Sequence, residues 1–329
     1  MTYEEFLTEW RDNKNFIFAQ TSGSTGEPKI IRLKKDFMSR SAIRTNEFFN
    51  INSSSRLHSC ISPDFIGGKM MAVRSEIARC RLSWEIPSNT PLKNLSSSEK
   101  LSLVALVPSQ MHYIIDNKSQ MPVIDNLLIG GSPIPPLLKD KIIECGLNAY
   151  ESYGMTETAS HIALRKVTSE NIPFTTLPGI SVSASEEECL VILFDTGEKF
   201  VTNDIVQLVS DTAFFIKGRK DNVIISGGKK INPIELEAKI SSLLPYAFCI
   251  TGFPDDKWGE KVVLILESKT KCINTDYILE LLKPKLEKWE MPKEIIIEAL
   301  LARTANGKII RPKNRFALSS FGRDNNPAF

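Results

Sequence analysis

The sequence predicts an α/β protein with a mostly parallel sheet in its larger part, and three observations carry that expectation. Between about Asp36 and Pro136, helical stretches such as Lys69 to Arg79 alternate with short apolar runs, Ser102 to Val107 and Asn126 to Ile129. That is the rhythm of helices packed on a parallel sheet. From about Asn171 to Phe215 the pattern changes to β-branched runs separated by Gly, Asp and Asn, which predicts a small antiparallel β appendage with no helix. After Gly218 it changes again, to a compact unit of mixed helices and strands.

Taken in order, Tyr3 to Trp10 has apolar residues at helical spacing, and Phe16-Ile17-Phe18-Ala19 reads as a short buried strand that runs into the polar segment QTSGSTGEPK. In the appendage the strand candidates are Cys189 to Phe194, Ile205 to Val209 and Ala213 to Ile216. In the last unit Asn232 caps a helix from Pro233 to Leu244 with proline in its first turn. Strand-like YAFCITGF and KVVLILES follow, then a helix from about Thr275 to Lys288 and a strand in EIIIEALL. The boundary is placed at Arg219 to Asp221, dividing the chain into residues 1–219 and 220–329.

The 329 residues carry 41 Lys and Arg against 39 Asp and Glu, a formal charge of +2, so no global field attracts nucleic acid or an anionic membrane, and any anion site must be local. The six cysteines lie far apart, with no CxxC and no histidine at zinc-ligand spacing. Neither a disulfide framework nor a zinc site is suggested, and a reducing cytoplasm fits. The start, MTYEEFLTEWRDNKN, has no apolar core of an export signal, and no segment approaches the ~18 apolar residues that span a bilayer, so neither export nor membrane insertion is expected.

Four motifs carry chemistry. In Thr21-Ser22-Gly23-Ser24-Thr25-Gly26-Glu27-Pro28-Lys29, glycines let backbone N–H groups approach phosphate oxygens, hydroxyls donate further bonds and Lys29 adds a point charge. The Walker A pattern fails at Pro28 and Ile30, and a Ser/Gly surface turn is the plain alternative. In Tyr153-Gly154-Met155-Thr156-Glu157-Thr158, preceded by Gly130-Gly131-Ser132, a hydroxyl beside a carboxylate suits an α-phosphate and Mg²⁺. A capped helix start with an acidic first turn is the alternative there. The third motif runs from Gly218-Arg219-Lys220-Asp221 through Gly227-Gly228-Lys229 to Glu235, and the fourth is Arg303-Thr304-Ala305-Asn306-Gly307-Lys308. Each of these alone reads as a solvated basic turn.

In order and wording the four motifs resemble the adenylate-forming (ANL) superfamily of acyl-CoA and aryl-CoA synthetases, luciferases and peptide-synthetase adenylation domains, from about Gln20 to Arg311. The resemblance implies a large N-terminal adenylate-forming domain and a small mobile αβ C-terminal domain, with ATP, Mg²⁺ and CoA as cofactors. It implies that Thr21, Ser22, Gly23, Ser24, Thr25, Gly26 and Lys29 hold the triphosphate. Thr156 would meet the α-phosphate, Glu157 would ligate Mg²⁺, and Tyr153 would lie beside the adenine. Asp204, in Val201-Thr202-Asn203-Asp204 with Asn where the family has Gly, would bind the ribose, with Arg219 reaching ribose or phosphates. Asp221 matches the hinge, and Lys308 the lysine bridging carboxylate and phosphate during adenylation. Gly227 and Gly228 match the pantetheine tunnel, and Trp258 the aromatic that members using CoA place near that cofactor; a packed surface tryptophan is its alternative.

Family members carry well over a hundred residues before the phosphate loop, so the first large subdomain is expected to be nearly absent. Within the superfamily the chain is most similar to the compact o-succinylbenzoate:CoA ligases of menaquinone biosynthesis. That implies a small carboxylic acid substrate whose acyl pocket uses Phe65, Gly68, Gly130, Gly131 and Ser132, and a cation for a second carboxylate. Lys69, slightly preferred, and Arg74 are the candidates, with a solvated helix face as the alternative for either. The shortened wall allows a homo-oligomer. Another acid:CoA ligase, a stand-alone adenylating enzyme and a catalytically silent nucleotide-binding protein are the rival readings.

Overall fold

A computed structural model describes residues 1–21, 29–270, 272–304 and 309–315. In chain order the helices are α1 (Tyr3–Arg11), α2 (Lys35–Phe48), α3 (Ile66–Ala78), α4 (Pro108–Asp116), α5 (Pro136–Glu144), α6 (Pro233–Ile240) and α7 (Thr275–Leu282). The strands are β1 (Phe16–Gln20), β2 (Ile30–Lys34), β3 (Arg56–Ser59), β4 (Arg81–Trp84), β5 (Lys100–Leu101), β6 (Leu103–Leu106), β7 (Val123–Ile124), β8 (Leu127–Ile129), β9 (Ala149–Met155) and β10 (Ser160–Lys166). They continue as β11 (Phe174–Thr176), β12 (Ile180–Ala184), β13 (Cys189–Phe194), β14 (Lys199–Ser210), β15 (Ala213–Arg219), β16 (Ile224–Ser226), β17 (Lys229–Ile231), β18 (Phe248–Asp255), β19 (Gly259–Glu267) and β20 (Glu294–Glu298).

Eleven strands form one sheet in the order β12-β13-β14-β15-β11-β10-β9-β8-β6-β3-β4. Pairings from β9 to β4 are parallel and those from β12 to β9 antiparallel. The antiparallel strands therefore extend the parallel sheet and are not a separate appendage: β11 pairs with β15, and β10 joins β11 to β9. Strand alternation divides the core between the two faces. Leu103, Ala105 and Leu128 point into one cluster with α1, α2 and α3, while Val104, Leu106, Leu127 and Ile129 meet Met111, Ile114, Leu138 and Ile142 of α4 and α5. Helix α3 is covered almost throughout, from Gly68 to Ser75, because α1 and α2 lie against it on the side away from the sheet.

The strand at Phe16 to Ala19 exists, but β1 pairs only with β2, as a two-stranded antiparallel hairpin outside the main sheet. Residues 224–301 build their own sheet, β17-β16-β19-β18 with β20 beside β19, and two hydrophobic clusters of their own. Asn232 caps α6 as expected, accepting from the Ile234 N–H, and its Nδ2 donates to the Lys217 carbonyl at 2.7 Å. Among the described residues no helix is long and apolar enough to cross a membrane.

Candidate active site

Segments that leave the carboxyl ends of parallel strands form crevices where ligands bind in open α/β sheets. Three sequence motifs lie there: residues 60–68 after β3, residues 130–132 after β8, and residues 152–157 at the end of β9. Strands β8 and β9 are parallel neighbours in the register Ile129↔Glu151, so Gly130 lies beside Ser152. A Cβ on Gly130 would come 2.7 Å from Ser152 Oγ, which itself donates to the Ile129 carbonyl at 3.0 Å.

The Tyr153 motif is a strand followed by a hairpin tip, not a helix start. Met155 pairs with Ser160, and residues 156–159 make the turn. Thr158 Oγ1 closes it on Met155 N and on the Ser160 carbonyl. Ala159 and Ser160 take φ of 52° and 81°, a region L side chains seldom adopt. The turn holds because Ser41 Oγ of α2 donates to the Ala159 carbonyl at 2.9 Å. Gly154 is required by close approach: a Cβ there would lie 2.2 Å from the Ser160 oxygen. Thr156 is buried and Glu157 half-buried at the tip, and Glu157 has neither an ion pair nor a hydrogen bond among the described residues.

The expected ribose and hinge residues come together. Tyr153 donates its phenolic proton to Asp204 Oδ2 at 2.6 Å, while its ring packs at 5.3 Å from Phe214 and 5.9 Å from Phe174. Burial, and then the Asp204 charge, pushes the Tyr153 pKa well up, so the phenol stays a donor. Asp204 N donates to Thr202 Oγ1 at 3.0 Å, and Asn203 is not among the residues with positive φ. Arg219 reaches Asp204 Oδ1 at 3.2 Å and Asp221 through Nε and Nη2, both at 2.9 Å. These Asp221 bonds, against burial, raise the Arg219 pKa. For Asp221, burial acts upward, but the guanidinium outweighs it and holds the carboxyl below its usual value.

Thr21 and Lys29 pair across the two ends of the segment expected to hold phosphate: Thr21 N donates to the Lys29 carbonyl and Lys29 N to Thr21 Oγ1, each at 2.9 Å. Ser22, Gly23, Ser24, Thr25 and Gly26 lie outside the described residues, as does Lys308. The stem of the Lys308 segment is an antiparallel bridge of Arg303 with Ile309, and Arg303 is tied to Glu267 at 2.6 Å. Gly227 and Trp258 also meet. Gly227, at φ 55°, donates its N–H to the Trp258 carbonyl, and a Cβ there would come 2.9 Å from the indole. Gly228 has φ 79° with open space where a Cβ would stand. Lys257 and Lys293 lie 5.1 and 5.4 Å from the Trp258 ring.

Around the acyl segment, Phe65 is the residue before α3 and Gly68 lets the 62–65 turn fold back, since its Cβ would lie 2.3 Å from the Ser62 oxygen. Gly131, at φ 91°, and the half-buried Ser132 follow Gly130. Neither Lys69 nor Arg74 is on a solvated face: they are 3% and 1% exposed. Lys69 Nζ contacts Met1 Sδ at 3.0 Å over the Phe6 ring, and burial lowers its pKa. Arg74 reaches His161 Nδ1 through Nη2 at 3.3 Å, its Nε has no partner, and burial lowers its pKa to about 9. His161 Nε2 in turn meets Thr45 Oγ1 at 3.1 Å, and Thr45 donates to the Ser41 carbonyl. This relay leaves Nδ1 as the acceptor, and burial with the Arg74 charge keeps His161 neutral. Sequence reasoning missed His161, Thr45, Phe174 and Phe214; only nearness of His161 to the Tyr153 motif pointed to it.

A family model described as AMP-binding enzyme matches residues 8–203. The chain belongs to the AMP-binding enzyme family. The 2-succinylbenzoate–CoA ligase of Lactococcus lactis subsp. lactis (strain IL1403) is 26% identical to this AMP-binding enzyme over 329 residues, covering 92% of this chain and 71% of that protein. A crystal structure from Dyadobacter fermentans DSM 18053, described as an acyl-CoA synthetase (AMP-forming)/AMP-acid ligase II-like protein, is 30% identical with a TM-score of 0.61, covering 96% of this chain and 92% of that one. The o-succinylbenzoate coenzyme A synthetase of Bacillus subtilis, in complex with ATP and magnesium ion, shares the fold at TM-score 0.78 and 20% identity over 89% of this chain and 68% of that one.

Proposed function

We propose that this AMP-binding enzyme is an ATP-dependent acid:CoA ligase that forms AMP and pyrophosphate, and that its acid is o-succinylbenzoate. The observation that carries the substrate reading is Arg74, a guanidinium 1% exposed with no carboxylate partner among the described residues. A buried charge without a counter-ion destabilises the fold, and a dicarboxylic acid supplies that counter-ion while presenting its other carboxylate for activation. Lys69, the other buried cation of α3, has its Nζ against Met1 Sδ and is the second candidate. Relatives that carry the name 2-succinylbenzoate–CoA ligase, at 24–28% identity, support the same acid.

In this reading Tyr153, Asp204 and Arg219 seat the nucleoside. Asp204 uses one lone pair per oxygen on Tyr153 and Arg219 and keeps others for two ribose hydroxyls. The unpartnered Glu157 carboxylate is a suitable oxygen ligand for Mg²⁺, which neutralises phosphate charge when bound. Thr156 donates to the α-phosphate, the loop closed by Thr21 and Lys29 holds the β- and γ-phosphates, and Lys308 bridges the attacking carboxylate and the α-phosphate. Residues 220–329 then swing about Asp221, so that Gly227, Gly228 and Trp258 line the path of the CoA thiol, which displaces AMP. Use of ATP and CoA supports a cytoplasmic location, and a small acid as partner and a homo-oligomer belong to the same proposal.

Purified protein incubated with Mg·ATP, CoA and o-succinylbenzoate, beside benzoate, short and medium fatty acids and a no-acid control, tests both levels. Pyrophosphate and thioester only with o-succinylbenzoate supports the whole reading. Release with another acid keeps the ligase and discards the substrate, and adenylate without CoA turnover points to a carrier-protein acceptor. No release with any acid overturns catalysis.

A further inference from the structure

The end of the sheet farthest from the antiparallel strands carries a second set of polar side chains that the ligase reading does not use. Strands β3 and β4 are parallel in the register His58↔Ser83 and Ser59↔Trp84, with Glu85 N donating to the Ser59 carbonyl. Residues two apart share a sheet face, so His58 and Cys60 of one strand face Ser83 and Glu85 of the next. His58 Nδ1 lies 2.8 Å from Ser83 Oγ, and Ser83 Oγ donates its only proton to the Leu57 carbonyl. Ser83 therefore accepts from Nδ1–H, and the imidazole presents a bare lone pair on Nε2. That Nε2 is buried without a hydrogen-bond partner, 3.8 Å from Glu85 Oε2. The ligand atoms of His58, Cys60 and Glu85 all lie within 4.8 Å of one another.

We propose that His58 Nε2, Cys60 Sγ and the Glu85 carboxylate bind one divalent cation of the zinc type at the β3–β4 edge of the sheet. One nitrogen, one sulfur and one carboxylate form a borderline-soft donor set, which suits zinc and not Mg²⁺ or Ca²⁺. Groups that orient the three ligands are already in place: Ser83 fixes the histidine tautomer, Leu92 N donates to both Glu85 oxygens at 3.1 Å, and Gln110 Nε2 donates to the Cys60 carbonyl at 3.0 Å. The Glu85 side chain is 20% exposed, which opens a path for the ion and a fourth ligand from water. Binding breaks the Cys60 S–H bond, forms a metal–thiolate bond and releases that proton to solvent. The spacing rules that argue against a zinc site miss this arrangement because its third ligand comes from the neighbouring strand. Strand β3 lies three positions from β9, about 14 Å at the usual spacing, so the cation is separate from the one Glu157 would hold. The site clips the edge strand β4 to β3 and serves stability, independently of what acid the enzyme activates.

The test uses the full chain, freed of metal, in a Cys272→Ser background that removes the exposed thiol. Co²⁺ is expected to bind at one equivalent with a thiolate-to-cobalt absorption band, Zn²⁺ to displace it, and Zn²⁺ to raise Tm. Cys60→Ser should abolish the band, and Ser83→Ala should weaken Zn²⁺ binding roughly 10–100-fold. If Cys60→Ser does not fold, Glu85→Gln is the second variant, and it should keep the sulfur band while losing affinity. Absence of a one-equivalent cobalt band, a band that survives Cys60→Ser, or a metal affinity unchanged by Glu85→Gln and Ser83→Ala overturns the site.

Discussion

Asp204 and Arg219 face each other as a cross-strand pair of β14 and β15, and the same guanidinium that reaches Asp204 is bidentate on Asp221. One side chain thereby joins the carboxylate assigned to the ribose to the residue assigned to the hinge. A nucleotide that draws Arg219 toward its own oxygens loosens Asp221, which is a physical route from bound nucleotide to domain position.

The Asp221 pKa is lowered in the folded state, so its contribution is present above the ordinary aspartate range and is lost as pH falls through the depressed value. Because the pair is partly exposed, that contribution is about 1 kcal/mol. Urea unfolding of Asp221→Asn should show wild type losing this advantage on acidification, whereas the two proteins converge at low pH. Parallel stability curves across the acid range would contradict the pair's role.

Asp221→Pro stiffens the junction by fixing φ. It should hold the protein in one pose, so that one half-reaction survives and overall turnover falls. Separate assays of pyrophosphate release and of thioester formation from supplied acyl-adenylate distinguish the halves. Unchanged overall turnover would remove the hinge assignment.

Arg74→Met should make the ligand-free enzyme more stable while weakening o-succinylbenzoate binding, the exchange expected where a buried charge awaits a counter-ion. The folded pKa of about 9 lies below that of the unfolded arginine, so the unfolded state binds more protons between the two values. Wild-type stability should therefore gain relative to Arg74→Met as pH rises above about 9. Thermal melts across that window, with and without the acid, test both halves; a less stable variant with unaltered acid affinity would place Arg74 in the core alone.

Most secondary elements were legible because their signals are local. Asn232 before Pro233 marks α6, and apolar runs such as Leu103–Leu106 mark sheet strands. Helix α7 ends at Leu282 and not near Lys288, because Pro284 offers no N–H and restricts the residue before it. What stayed illegible depends on partners remote in sequence. Nothing near Phe174 says that it pairs with Phe214 and so joins the antiparallel strands to the parallel ones. That both candidate cations, Lys69 and Arg74, are buried was not legible, because α3 alone does not reveal that α1 and α2 cover its outer side. The motif residues Tyr153, Asp204 and Arg219 were recognisable one by one, but their hydrogen-bonded chain required the register of β14 on β15.

Lys308→Ala should cripple adenylation and spare thioester formation from supplied acyl-adenylate. Removing an oriented donor that stabilises developing charge costs about 3–4 kcal/mol, or roughly 10²–10³ in rate. Equal losses in the two half-reactions would count against a role confined to the first.

Gly227 and Trp258 provide the complementary test. Gly227 combines φ 55° with an indole 2.9 Å from where a Cβ would stand, so Gly227→Val meets both backbone strain and the Trp258 ring. The variant should lose CoA-dependent turnover while acid-dependent pyrophosphate exchange continues, since the residues assigned to the phosphates lie elsewhere. Trp258→Ala relieves that contact but removes the surface that Lys257 and Lys293 flank, where a phosphate-bearing thiol cofactor would find cations beside an aromatic face. It should raise the KM for CoA more than it lowers kcat. Steady-state kinetics in CoA at saturating ATP and acid decide the matter: a KM for CoA that stays at the wild-type value in both variants would mean that this junction packs the C-terminal unit and does not receive the cofactor.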